Sequence, residues 1–99
     1  MVERLPRAPY ALAVDHRPQP TADVTAEDLD SDVCLYRSDI DEVLVLNQSA
    51  ADVWRLADGT ATVAEIITRL AAAYQVAVDV VAADAHAVID DLTTRGYLE

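Results

Sequence analysis

The chain has no lysine, two glycines, one cysteine and two histidines among its 99 residues. Each scarcity removes a class of function. All seven cations are arginines, set against 18 carboxylates, for a net charge of −11. Arg4, Arg7 and Arg17 lie near the N-terminus, leaving Arg37, Arg55, Arg69 and Arg95 to face most of the acids. Such a body repels nucleic-acid phosphates and anionic lipid, and attracts a neutral or basic partner. Most of its carboxylates read singly as solvated surface charge. Two glycines leave no phosphate-cradling loop. The lone Cys34 cannot close an internal disulfide, which predicts a cytoplasmic setting. Its apolar and acidic neighbours do not activate a thiol, so it reads as a strand residue. His16 and His86 have no second ligand at metal spacing, and His86 reads as a solvated helix residue. No apolar run reaches the roughly 18 residues of a membrane span. The first residues interleave Glu3, Pro6 and Pro9 and do not read as a secretory signal. The expectation is a protein that is no enzyme, holds no metal or cofactor, and binds neither nucleic acid nor membrane.

Prolines 6, 9, 18 and 20 all fall in residues 1–23, which read as an extended arm because proline breaks ladders and helices. Within it Tyr10–Val14 has strand character. Residues 24–99 read as one domain. Strands are expected at 24–29, 32–37 and 42–47, with Val33-Cys34-Leu35-Tyr36 rich in strand formers and Ser38–Asp41 as a hairpin turn. Asn47 is a helix cap, followed by Ala50, Val53, Trp54 and Ala57 at helical spacing and by Asp58-Gly59 as a stop. Trp54 belongs to that apolar stripe and reads as core. Thr62 and Glu65 form a capping box before the stripe Val63, Ile66, Ile67, Leu70 and Tyr74. Asp79 is read as the cap of a third helix with the stripe Val81, Ala85, Val88 and Leu92, ended by Gly96. The predicted class is α+β: a three-stranded antiparallel sheet followed by three helices.

Three local patterns imitate sites. Asp28-Leu29-Asp30-Ser31-Asp32 opens like a calcium loop, but Val33 and Asp39 stand where that loop needs glycine and glutamate. Asp30-Ser31 resembles an acyl-carrier attachment serine, yet strand formers follow it where a helix should start. Asn47-Gln48-Ser49 matches a glycosylation sequon, and the capping role explains it better.

The apolar run Val43–Leu46 ending in Asn47, then Ala50, Trp54 and Asp58-Gly59, resembles the PqqD-like family. The similarity continues through Thr62-Val63-Ala64-Glu65-Ile66, Leu70, Tyr74, Asp84 and Leu92 to Gly96-Tyr97-Leu98, over about residues 24–99. Ala85 departs from the larger aliphatic residue often found there, and the arm is longer than the domain needs. The resemblance implies a winged helix-turn-helix-like fold and a recognition element for ribosomally made peptides. It implies a precursor leader peptide lying as an added strand on the third strand, beside the third helix. A second partner is implied, a modifying enzyme such as a radical SAM protein, a cyclase or a leader peptidase. The residues fit this physically. Val43, Leu44, Val45 and Leu46 offer main-chain donors and acceptors to an incoming strand. On the helix Asp84, Val88, Asp91 and Arg95 run along one edge, with Val88 an apolar floor and the acids placed for basic leader residues. A few net hydrogen bonds and two or three buried side chains, less the ordering of the leader, leave an affinity near ~1 μM. Helix-turn-helix topology also serves DNA-binding regulators, which the acidic surface opposes. A structural subunit that forms a homodimer through its edge strand is the other alternative. The arm's Tyr10–Val14 is a candidate to occupy a sheet edge until a leader displaces it.

Overall fold

The computed structural model describes residues 16–99. Tyr10–Val14 lies outside them. Three antiparallel strands come first: β1 (Val24–Leu29), β2 (Asp32–Arg37) and β3 (Glu42–Leu46), in the order β1-β2-β3. β3 stops one residue before the expected end because Asn47 has already turned to cap the next helix. Both hairpins turn through an aspartate in the left-handed region, Asp30 (φ 58) and Asp41 (φ 53). Aspartate tolerates that conformation better than most residues.

Side chains alternate across the sheet. Val33, Leu35, Leu44 and Leu46 point inward, and Leu35 is fully buried. Cys34, Tyr36, Val43 and Val45 share the opposite face by register. Val43 and Val45 are 60% and 56% exposed there.

Three helices follow, α1 (Gln48–Leu56), α2 (Val63–Tyr74) and α3 (Val78–Thr94), and α1 packs on β2 and β3. The Asn47 side chain accepts from Ala50 N–H at 3.0 Å, the cap read from the sequence. Both halves of the Thr62–Glu65 capping box are formed, at 3.1 and 2.8 Å. Trp54 is buried with Val53 and Ala51 in the common core. α3 departs from expectation twice. Its cap is Ala77, which makes no side-chain bond, and Asp79 lies inside the first turn. A carboxylate there still meets the positive end of the helix dipole. Its buried stripe is Val81, Ala85, Ile89 and Leu92, so Ile89 replaces Val88. The helix phase rotates Val88 to the border of that stripe, where it is half-buried.

The segment before β1 is stitched to the rest. Gln19 and Glu99 exchange two main-chain bonds, Thr21 N–H bonds Tyr97 O, and Pro20 bridges Leu98. Pro18 O accepts from Gly59 N–H and His16 O from Val63 N–H. The C-terminal residues Tyr97 and Leu98 are buried.

Candidate functional site

β3 is hydrogen-bonded to β2 along one edge, and among the described residues no strand pairs with its other edge. α3 packs on α2 and α1, and its backbone comes within 8 Å of no strand. The unpaired edge of β3 and α3 thus leave a cleft between them that is bounded by the Tyr97–Glu42 contact at one end and by the cavity shared by Ser49 and α3 at the other.

One end of the cleft is tied. Tyr97 Oη donates to Glu42 Oε1 at 2.6 Å, linking the tail after α3 to the first residue of β3. Arg37 Nη1 donates to the carbonyl of Arg95 at 2.6 Å, and its guanidinium lies 5.7 Å from the Tyr97 ring centre. The fork of Arg37 also grips both carboxylate oxygens of Asp39, at 3.1 and 2.5 Å. That pairing holds Asp39 below the ordinary carboxylate range.

The other end is open and apolar. A cavity of about 170 Å³ lies between α1, α2 and α3. Val53 of α1, Leu70 of α2 and Val81 and Ala85 of α3 form its base; Val76, Val80 and Val88 form its walls. Its polar groups are Ser49, Asp84 and the hydroxyl of Tyr74. That hydroxyl makes a short bond to Asp52. Desolvation, then this bond, pushes the Tyr74 phenol up to about 12. An apolar pocket with few polar groups next to an unpaired strand edge can accept an extended chain.

The sequence-derived residues separate into three groups. Val43 and Val45 lie on the outer sheet face and Leu44 and Leu46 on the inner face, so this strand offers its backbone to the cleft. Asp84 and Val88 line the cavity. Asp91 and Arg95 do not; they pair with each other, Arg95 Nε bonding both Asp91 oxygens at 3.0 Å, near the tied end. Sequence reasoning missed Val76 and Val80 and assigned Tyr74 wholly to the core. Tyr74, Val76, Val78 and Val80 are all exposed. Alternating valines that fit no helical stripe were the signal. Among the described residues no three His, Cys, Asp or Glu side chains are grouped to hold a metal. No described helix is long and apolar enough to cross a membrane. Cys34 is free and partly exposed.

A family model described as Coenzyme PQQ synthesis protein D (PqqD) matches residues 29–98. No curated protein matches the chain. Among solved structures, TbiB1 in complex with the TbiA(beta) leader peptide is similar at TM-score 0.75 and 21% identity, over 82% of this chain and 94% of that one. Lasso peptide synthetase B1 complexed with the leader peptide is similar at TM-score 0.74 and 18% identity, over 84% of this chain and 98% of that one. At these identities the likeness shows a shared fold.

Proposed function

The chain belongs to the PqqD family, and from that membership we propose that it is a non-enzymatic adaptor for a ribosomally made precursor peptide. It binds the leader region by strand addition and presents it to a modifying enzyme. One observation carries this: the β3 edge is unpaired among the described residues, and just beyond its C-terminal end Ser49 and α3 line an apolar cavity. An extended peptide set there completes the sheet with its backbone and seats alternate side chains in the groove. Both structural neighbours were solved with leader peptides, which supports the same use of the fold here. The enzyme partner, a radical SAM protein, a cyclase or a leader peptidase, performs the bond chemistry. The proposed binding unit is residues 24–99, with residues 1–23 an arm whose described part, residues 16–23, is bonded to that unit, in a cytoplasmic protein.

The edge is tested by calorimetry with the cognate leader peptide. Val45→Pro removes one strand amide, whereas Val45→Thr changes only an exposed side chain. Leader binding is expected to be lost in a folded Val45→Pro variant and to stay within about twofold of wild type in Val45→Thr. A folded Val45→Pro chain with undiminished affinity refutes strand addition.

A further inference from the structure

Val80, Asp84 and Val88 all line the groove from α3. They are spaced by four residues, so successive members lie about 6 Å apart along the helix axis. Every second residue of an extended chain lies roughly 6.7 Å apart. The two repeats match over these two steps, and α3 runs alongside β3, tied at Glu42 and Tyr97 and open toward Ser49. A strand added to β3 therefore turns three alternate side chains toward Val80, Asp84 and Val88 in turn.

Asp84, Asp91 and Asp52 are not equivalent. Asp91 is engaged by Arg95, and Asp52 by Arg55 and Tyr74. Asp84 makes no ion pair or side-chain hydrogen bond among the described residues, where Arg37, Arg55 and Arg95 all have acidic partners. Binding a chain across Asp84 removes water from a carboxylate that has no partner of its own. A cation on the incoming chain offsets that loss. At about 170 Å³ the pocket beside Val80 takes an aromatic or branched side chain, since a cavity of about 150 Å³ accepts benzene.

We propose that the groove reads a leader segment of the pattern apolar–x–Arg/Lys–x–apolar, the cation meeting Asp84 and the apolar residues meeting Val80 and Val88. This rests on the adaptor reading and adds the substrate class to it. The acidic surface, with net charge −11, favours the same class of peptide at longer range.

The test is selection of a displayed library of random 12-residue peptides on the full chain, on Asp84→Arg and on Val80→Glu. Asp84 and Val80 are both exposed, so the variants keep the core intact, and a thermal melt verifies it. Wild type is expected to enrich peptides with a cation between two apolar residues at alternate positions. Asp84→Arg should replace that cation with Asp or Glu, and Val80→Glu should abolish enrichment. In a synthetic selected peptide, exchanging the cation for Glu should weaken binding to wild type by on the order of tenfold, and Asp84→Arg should restore it. Peptides that depend on Val80 yet show no charge preference, or one that Asp84→Arg leaves unchanged, overturn the proposed pattern and leave the adaptor reading standing. Peptides enriched equally on Val80→Glu, or no enrichment at all, overturn both.

Discussion

The Tyr97 hydroxyl and Glu42 Oε1 meet at 2.6 Å, joining a fully buried residue of the C-terminal tail to the first residue of β3. The bond fixes the tied end of the cleft. Tyr97→Phe keeps the buried ring and deletes the bond. A hydrogen bond to a charged acceptor is worth about 1.5–3 kcal/mol, less here because Glu42 is half-buried and recovers water. A loss of about 1 kcal/mol is expected, which lowers Tm by roughly 4–8 °C for a domain of this size. Thermal melts followed by circular dichroism measure it. Glu42→Gln retains a neutral acceptor and should lose less.

Alkaline pH should destabilise the fold through the same residue. Desolvation, then the bond to Glu42, pushes the Tyr97 phenol up to about 12 from its ordinary value of 10.0, and Tyr74 is raised to about 12 as well. A raised folded-state pKa means the folded chain holds its proton longer than the unfolded chain. The stabilisation is complete below about pH 10 and is lost as pH rises toward about 12. Melts at pH 8 and pH 11 should differ more for wild type than for Tyr97→Phe. Tyrosinate absorbance should show a late-titrating component that shrinks in that variant.

Much of the fold was legible because its signals are local. Asn47 and the Thr62–Glu65 pair act over three residues, so the sequence alone exposes them. The strands were legible because the turn residues between them are short and polar. The phase of α3 was not: Val88 and Ile89 are adjacent and both apolar, and only packing against α2 decides which is buried. The candidate site divided the same way. The resemblance pointed to β3 and the third helix, and the spacing of Asp84 and Val88 set both on one edge of that helix, where they line the cavity. The Asp91–Arg95 pair was open to the same reading, being an i, i+4 contact on one helix, but the ties from Arg37 to Arg95 and from Glu42 to Tyr97 were not. Those contacts join residues 58 and 55 positions apart, and no local pattern announces them.

Gly96 is expected to resist substitution. Its φ is +84, and a Cβ there would collide with the Arg37 guanidinium. An L-residue in the left-handed region costs about 1–2 kcal/mol before any collision. Gly96→Ala must also displace Arg37 from the Arg95 carbonyl. Urea denaturation should therefore show a loss of about 2 kcal/mol or more. An Arg37→Ala background removes the collision, so Gly96→Ala should be less costly there. Equal losses in the two backgrounds would assign the whole effect to backbone conformation.

Tyr74 separates the contribution of an aromatic wall from that of a polar bond at the groove mouth. Its ring lines the cavity and is 43% exposed, while its hydroxyl is held by Asp52. If the ring forms the wall against which a bound peptide packs, removing only the hydroxyl leaves that surface in place. Tyr74→Phe should then change leader affinity by less than about threefold, because the hydroxyl bonds Asp52 of the protein itself at an exposed site rather than the peptide. Tyr74→Ala removes the wall and should weaken binding by about tenfold or more, equivalent to ~1.4 kcal/mol of lost apolar contact. Calorimetry on both variants reads the ratio directly. A larger loss in Tyr74→Phe than in Tyr74→Ala would place the specificity in the Asp52 bond instead, with the freed carboxylate competing with Asp84 for a cation on the peptide.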